Sequence, residues 1–169
     1  EVIGLRPLVK DIALASVGGP VSADLQKVVD ALSAADGVIL VSPVFQASYS
    51  GLFKSAMDVL PTGTLEGVPV LLGATAGTAR HSLVTEMALR PLVVYMKALP
   101  TQTAVFAASE DFGAAWKTPS SSERPESPLS ERVARAGREL ATLMERFPRQ
   151  APVDPLADFA PMETLLAGR

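Results

Sequence analysis

One uninterrupted apolar run near the middle of the chain constrains the fold more than any other feature. Residues Val38 to Val41 are all aliphatic, and a loop of small, polar and aromatic residues follows from Pro43 to Gly51. An apolar run that ends at turn residues is typical of a strand buried on both faces of a parallel sheet. In open α/β sheets, the loops at the carboxyl ends of such strands bind ligands. The run therefore predicts both an architecture and the position of a site.

Strand and helix patterns alternate along the rest of the chain. Strands are predicted at residues 1–5, 38–42, 68–73 and 103–107, and helices at residues 21–35, 52–60, 80–98 and 129–147. Alternation at this spacing indicates an α/β fold with a mostly parallel sheet covered on both faces. Right-handed crossovers place the strand-to-helix loops of such a sheet at one edge. The loops at 43–51 and 75–80 should therefore line one cleft.

The domain organisation follows from length and local composition. The 169 residues suffice for one domain with a substantial core, and we assign residues 1–147 to it. Residues 116–128 are rich in Ser, Pro and charge, which predicts an exposed, mobile connection. Residues 148–169 form a proline-rich tail.

Composition narrows the classes of function. The chain has no cysteine and a single histidine, His81, which argues against thiol chemistry, a His-rich metal site and a Ser-His-Asp triad. A net charge of −3 gives no electrostatic footprint for nucleic acid or an anionic membrane. No apolar run approaches the roughly 20 residues of a membrane span, and the sequence opens without a secretory leader. We expect a soluble cytoplasmic protein.

The two loops offer binding groups more than catalytic ones. Small residues in the second loop let a ligand approach the backbone, and a helix start nearby favours an electron-rich group. An ordinary turn with threonine caps remains the alternative. In the first loop, Phe45 and Tyr49 suit a flat heterocycle, unless both rings pack into the core. His81 is a candidate acid or base, or else a surface or capping residue.

The predicted helix 80–98 carries more apolar surface than one sheet should cover. Glu86 and Arg90 are spaced to pair at i,i+4 and belong to its only polar stripe. A helix that is apolar nearly all round is buried on several sides, so we expect a subunit interface here. Pro91 should kink this helix.

Four sequence blocks together resemble the NAD(P)H-dependent FMN reductases of the flavodoxin-like superfamily. The resemblance is strongest to the reductases that supply reduced FMN to two-component monooxygenases. It extends from about Glu1 to Gly113, and the blocks that carry it are Ser42–Lys54, Pro69–Leu72, Ala74–His81 and Ala88–Leu92. The resemblance implies a flavodoxin-like doubly wound parallel sheet.

The resemblance also implies roles for the two loops. The isoalloxazine ring of FMN would lie against the first loop, nicotinamide from NADPH or NADH would stack near Tyr49, and the second loop would hydrogen-bond the flavin pyrimidine edge. Arg80 and His81 would meet the dinucleotide phosphates. The implied cofactor-binding residues are Pro43, Val44, Phe45, Gln46, Ser48, Tyr49, Thr75, Ala76, Gly77, Thr78, Arg80 and His81. No side chain need act as a catalytic acid or base, because hydride passes directly to flavin N5. No metal is implied.

The resemblance implies a partner protein and an oligomeric state, and two alternative functions remain open. Reduced FMN would pass to a flavin-dependent monooxygenase, and the protein would form a homodimer or homotetramer. One rival is a reductase that retains FMN and reduces quinones, azo dyes or oxyanions. A rival of another class is a non-catalytic nucleotide-binding or regulatory module. Such a family begins with a strand and a phosphate-binding loop, and no such segment precedes Glu1, so the first βα unit is expected to be absent here.

Overall fold

Five strands of the computed structural model, which describes residues 1–113 and 128–149, form a single sheet. The strands are β1 (Val38–Phe45), β2 (Ser48–Tyr49), β3 (Pro69–Ala76), β4 (Leu99–Pro100) and β5 (Val105–Ala108). The α-helices are α1 (Val9–Ser16), α2 (Ala23–Ala34), α3 (Gly51–Asp58), α4 (Arg90–Tyr95) and α5 (Pro128–Arg146).

The sheet is parallel except for one short hairpin. Strands β1 and β3 pair in parallel from Val38 opposite Val70 to Pro43 opposite Thr75. On the other edge of β3, the parallel partners are β4 and β5. Only β2 is antiparallel, folded back on the end of β1. The carboxyl ends of β1, β3 and β5 thus meet at one edge, which confirms the predicted flavodoxin-like α/β fold.

The core lies mainly on one face of the sheet. Val38 and Leu40 of β1 share this face with Val70 and Leu72 of β3, and all are buried. Helices α1 to α4 cover it, and their buried side chains include Ile12, Leu25, Phe53 and Val93. On the opposite face, α5 packs Ala136 and Leu140 against Leu71 and the partly buried Val105.

The prediction that β1 is buried on both faces is wrong. Its side chains alternate between buried and exposed, and Ile39 and Val41 keep 58% and 56% of their surface exposed. These two residues lie on the face that α5 covers over β3, because Ile39 is opposite Leu71 in the register. No described element extends that cover over β1. The apolar run predicted the strand correctly, but not which faces other elements would cover.

The prediction of a strand at 1–5 is also wrong. Residues 1–4 have no regular structure and are exposed, and a 3₁₀ turn at Arg6–Leu8 leads directly into α1. Helix α1 was not predicted. It forms here because Leu8 and Ile12 pack into the main core, while residues 1–4 pair with no described strand.

The predicted helix 80–98 is divided into short pieces. A 3₁₀ turn at Ala79–His81 is followed by a π-helical turn at Thr85–Leu89 and then by α4. Pro91 has no amide hydrogen to donate, and in an α-helix its ring would crowd the carbonyl four residues earlier. The wide turn directly before Pro91 relieves this crowding, and the predicted kink at Pro91 stays a prediction.

The other helices follow their predictions closely. Ser22 caps α2 by accepting a hydrogen bond from the Leu25 amide at 3.1 Å, and α5 matches the predicted helix 129–147 within a residue at each end. The predicted connection 116–128 lies outside the described residues except Pro128, as does the tail 148–169 beyond Arg149. Within 1–113 and 128–149, no helix has the length and apolarity to cross a membrane, and the cytoplasmic location stays a prediction.

Candidate functional site

The two predicted loops leave the sheet from neighbouring strand ends. Pro43 near the end of β1 is the register partner of Thr75 near the end of β3. Adjacent strands lie about 4.8 Å apart, so a ligand the size of a flavin ring would touch both loops at once. The two loops that were predicted to line one cleft are therefore adjacent.

The first loop is a tight hairpin and not an open loop. Residues Pro43, Val44 and Phe45 belong to β1, and Phe45 pairs with Ser48 across a two-residue turn. That turn consists of Gln46 and Ala47, with φ values of 49° and 64°. Left-handed conformations strain residues other than glycine, and strain of this kind concentrates at functional sites.

The two aromatic residues of this hairpin have different environments. Phe45 keeps 61% of its surface exposed, whereas Tyr49 is partly buried, with its ring centroid 5.8 Å from that of Phe53. The alternative that both rings are core therefore fails for Phe45. Its exposed ring is available to a flat ligand at the edge of the sheet.

Two serines that were not among the predicted site residues fix the hairpin to its strand. Ser42 is buried, accepts a hydrogen bond from the Ser50 amide at 2.9 Å, and donates to the Pro43 carbonyl at 2.9 Å. Ser50 in turn caps α3 by accepting from the Phe53 amide at 3.1 Å. A serine directly before the helix start at Gly51 is an N-cap signal that would have identified Ser50.

The second loop keeps its polar groups free. Thr75 and Ala76 end β3 and are partly buried, while Gly77 and Thr78 are exposed. The hydroxyls of Thr75 and Thr78 make no hydrogen bond to any residue that the structure describes. A Cβ built on Gly77 would meet no atom within 4 Å. Free hydroxyls beside open backbone fit the polar edge of a planar heterocycle, which is the chemistry that a flavin pyrimidine edge requires.

Arg80 and His81 follow this loop directly. Both lie in the 3₁₀ turn Ala79–His81, and both side chains are exposed. Neither has an ion-pair or hydrogen-bond partner within the described parts of the chain. The turn therefore presents two adjacent basic side chains beside the cleft.

A third loop at the same edge was not predicted as part of the site. Ala108 at the end of β5 is opposite Ala76 of β3, and a 3₁₀ turn, Ser109–Phe112, follows it. The Asp111 carboxylate accepts from the Ala108 amide at 2.8 Å and pairs with Arg132 of α5 at 2.7 Å. These two donors, the amide first, hold the pKa of Asp111 below its ordinary value. The predicted strand 103–107 would have located this loop.

A polar network supports the elements behind the second loop. Arg90 forms two hydrogen bonds to Glu86, as its spacing predicted, and also donates to the carbonyls of Thr101 and Gln102. Glu139 of α5 accepts from the amides of Gln102 and Thr103. The network links the π turn, the segment before β5 and helix α5, so it fixes the outer side of β3.

Hydrogen bonds within this network lower the pKa values of its two carboxylates. The hydrogen bonds from Arg90 hold the pKa of Glu86 below its ordinary value. Burial alone would raise the pKa of Glu139, but the hydrogen bonds from Thr103 and Gln102 outweigh it and the pKa is lowered. Both carboxylates are therefore stabilised in the charged form that the network needs.

One cavity of about 530 Å³ lies away from these loops. Its lining includes Met57, Leu65 and Met96, and it sits beside the chain segments that lead into β3 and β4, at the opposite edge of the sheet. The lysines at its rim, Lys54 and Lys97, are both paired with carboxylates. It contributes nothing to the candidate site.

Comparison with known proteins gives consistent matches. The family model described as NADPH-dependent FMN reductase matches residues 1–113. The FMN reductase (NADPH) of Pseudomonas aeruginosa is 37% identical over 112 residues, which cover 66% of this chain and 60% of that protein. The NADH-dependent FMN reductase SfnF of Pseudomonas putida is 43% identical over 91 residues, 54% of this chain and 49% of that protein. The chain thus spans about half to three-fifths of these relatives.

Solved structures agree with this match. An oxidoreductase from Corynebacterium diphtheriae superposes with a TM-score of 0.72 at 42% identity, covering 85% of this chain and 74% of that one. The apo form of the NADH:FMN oxidoreductase EmoB gives a TM-score of 0.65 at 27% identity, with 90% and 72% covered. The fold and the family model agree, and the chain belongs to the NADPH-dependent FMN reductase family.

Proposed function

We propose that this protein reduces FMN with NADPH or NADH, and that the cleft between the loops of β1 and β3 is where the reaction takes place. The observation that carries the proposal is the adjacency of Pro43 and Thr75, which puts an exposed aromatic ring and two free threonine hydroxyls at one sheet edge. When both are bound, nicotinamide supplies a hydride and flavin N5 accepts it. The protein supplies binding, orientation and electrostatics.

Different residues of the cleft bind different parts of the two ligands. Pro43 and Phe45, on one face of β1, provide an apolar wall for the isoalloxazine ring. Val44 packs against the core on the other face and offers its backbone groups, and Gln46 and Ser48 lie in the hairpin beside them. Thr75, Ala76, Gly77 and Thr78 bring hydroxyls and backbone groups to the pyrimidine edge, where negative charge develops on reduction. Tyr49 borders the nicotinamide position, and Arg80 and His81 face the dinucleotide phosphates.

The product of this reaction is proposed to leave the protein. We place reduced FMN with a flavin-dependent monooxygenase as its consumer. A protein of this kind loses its flavin on dialysis, whereas a reductase that retains FMN for quinones, azo dyes or oxyanions stays yellow after purification. Dialysis of the purified protein therefore separates these two functions.

The exposed apolar ridge on the divided helix supports self-association. We define the ridge as Leu83, Met87, Val94 and Tyr95, whose exposed fractions are 68%, 75%, 54% and 86%. Large apolar side chains exposed along one short segment are typical of an interaction site, and a two-fold dimer would bury the same ridge on both copies. We propose a homodimer or homotetramer on this ridge. Met87→Glu should shift sedimentation at micromolar concentration toward the monomer, whereas a wild-type monomer would contradict the proposal.

The bare face of β1 supports one further element of the fold. In the flavodoxin-like strand order another parallel strand would lie beside β1, and a helix following that strand would cover Ile39 and Val41. We propose that the first βα unit of the family, which also supplies the phosphate-binding loop, is not contained in residues 1–169 and fills this place. Binding of FMN should then be much tighter in the product of the complete coding sequence than in this chain.

The sharpest test of the cleft compares two exposed phenylalanines. Phe45 lies in the cleft, and Phe147, with 50% of its surface exposed, follows α5. In the product of the complete coding sequence, Phe45→Ala should raise the Kd for FMN about tenfold, since a stacked aromatic pair contributes about 0.5–1.5 kcal/mol beyond area burial. Phe147→Ala should leave it unchanged. Equal effects of the two substitutions on the Kd in FMN fluorescence titrations would show that the flavin does not bind at this loop.

A further inference from the structure

The basic side chains of the candidate site are next to each other at one position. Of the predicted site residues, only Arg80 and His81 are basic, and none is acidic. Both side chains are exposed and lack a partner among the described residues, as shown above. A basic side chain that no carboxylate neutralises is free to bind an anion.

The other two arginines near this edge are already paired with carboxylates. Arg132 is paired with Asp111 on the third loop, and Arg90 is paired with Glu86. Glu110 is exposed on the third loop, but that loop follows β5, on the far side of β3 from β1. The positive charge beside the second loop therefore comes from Arg80, and His81 is its neighbour in the same turn.

The relatives show that dinucleotide choice varies within this family. The protein from Pseudomonas aeruginosa is described as NADPH-dependent and SfnF from Pseudomonas putida as NADH-dependent, at 37% and 43% identity to this chain. The choice therefore differs between proteins that are both similar to this chain, and the side chains that contact the dinucleotide are where it would be set. The two dinucleotides differ only by the 2′-phosphate of NADPH, and a guanidinium matches the geometry of a phosphate.

We infer that Arg80, assisted by His81, selects NADPH over NADH by binding the 2′-phosphate. This inference rests on the proposed function and names its preferred reductant. Arginine serves this purpose in other dinucleotide sites, where it accommodates the 2′-phosphate. Because the phosphate is remote from the reacting atoms, the contact should act on binding more than on the chemical step.

The test is steady-state kinetics on the product of the complete coding sequence with saturating FMN. Arg80→Gln should lower kcat/KM for NADPH about tenfold, through KM, because one charge-assisted contact is lost. The loss with NADH should be about threefold or less. Arg80→Lys should recover part of the NADPH preference, and His81→Gln should give a smaller loss than Arg80→Gln. The matched control is Arg146→Gln, an exposed arginine in the last turn of α5, at the opposite edge of the sheet.

A binding measurement makes the inference independent of turnover. Adenosine 2′,5′-bisphosphate carries the 2′-phosphate and 5′-AMP lacks it, so calorimetry should show that Arg80→Gln weakens the first ligand about tenfold and the second much less. Equal weakening of both ligands, or no weakening, would overturn the inference. A wild-type protein that uses NADH at least as well as NADPH would also overturn it. If FMN-dependent oxidation is absent with both dinucleotides but Arg80 still governs bisphosphate binding, the proposed function fails and this inference stands.

Discussion

Strands β1 and β3 lie side by side, have eight residues each and are both largely apolar, yet their surroundings differ. Six consecutive residues of β3, Pro69 to Ala74, are buried, because helices cover both of its faces. Strand β1 is buried on one face only, and most of its outer edge pairs with no described strand. The difference shows that an apolar run identifies a strand with apolar side chains to bury. It does not identify which faces of that strand other elements cover.

The same difference extends to the loops of the site. The loop after β3 lies between well-held elements, since β5 and the Arg90 network support its outer side. The hairpin after β1 depends on its own turn and on Ser42. We therefore expect the first loop to be the more easily deformed half of the cleft.

The largest expected effect comes from comparing the truncation of one aliphatic residue in each strand. Leu72 of β3 is fully buried, whereas Ile39 of β1 is 58% exposed. Leu72→Ala should lower the free energy of unfolding by about 2–5 kcal/mol, and Ile39→Ala by roughly 0.5 kcal/mol. Urea unfolding of residues 1–169 measures both.

The cost of Ile39→Ala can also be measured in the product of the complete coding sequence. If a further βα unit covers β1, the cost of Ile39→Ala should rise there to about 2–4 kcal/mol. Equal costs for Ile39→Ala and Leu72→Ala in residues 1–169 would show that both faces of β1 are already covered.

The next largest effect is expected from replacing Arg90, whose hydrogen bonds stabilise the segments beside β3. Arg90→Met removes two hydrogen bonds to carbonyls and leaves the Glu86 carboxylate unpaired, so stability should fall by about 1–3 kcal/mol. Arg138→Met on the exposed side of α5 is the matched control and should cost less than about 0.5 kcal/mol. A similar cost for both variants in thermal unfolding would show that the network does not hold β3.

Acid should weaken the same network. The pKa values of Glu86 and Glu139 are lowered in the folded state, so their contribution to stability is present above the ordinary carboxyl pKa and is lost as the pH falls below it. The acid-induced loss of stability should therefore be smaller in Arg90→Met than in the wild type. If stability falls with acid to the same extent in Arg90→Met and in the wild type, Glu86 does not cause the acid sensitivity.

A smaller effect is expected from the base of the hairpin after β1. Ser42→Ala leaves the buried Ser50 amide without its acceptor, which should cost about 1–2 kcal/mol. Ser48→Ala in the same hairpin is the control, because the Ser48 hydroxyl makes no hydrogen bond within the described residues. Amide exchange at Ser50 should accelerate only in Ser42→Ala, and unchanged exchange there would contradict the assigned role.

The smallest effect has opposite signs at the two strand ends. Ala47→Gly relieves a left-handed alanine in the turn after β1 and should stabilise the protein by about 0.5–1 kcal/mol. Ala76→Gly at the end of β3 only adds flexibility and should destabilise it by about 0.5 kcal/mol. A loss of stability in Ala47→Gly would show that the turn is not strained.

The sequence predicted those elements whose pattern is local. The runs at 38–42 and 68–73 predicted β1 and β3, and capping and spacing predicted α2 and α5. The pattern at 1–5 was misleading, because β-forming residues become a strand only beside another strand, and Leu8 and Ile12 instead begin a helix. A local pattern cannot determine which covering elements are present.

The candidate site was predictable to the same extent. The loops at Pro43 and Thr75 were identified from their composition, and the parallel register placed them together. Ser50 and the Asp111 loop were missed, although the N-cap position before Gly51 and the end of the predicted strand 103–107 would have located them. The role of Ser42 depends on a hydrogen bond from the Ser50 amide, which no local pattern shows. The hairpin geometry at Gln46 and Ala47 was missed because both residues are uncommon in left-handed turns.

The most direct test of the central claim is FMN-dependent oxidation of NADPH and NADH by the product of the complete coding sequence, followed at 340 nm by standard absorbance. Our account predicts oxidation that requires added FMN, is faster with NADPH, and falls when Phe45 is replaced by alanine but not when Phe147 is. Absence of FMN-dependent oxidation with both dinucleotides in a folded protein would contradict the account and leave a nucleotide-binding module on a reductase fold.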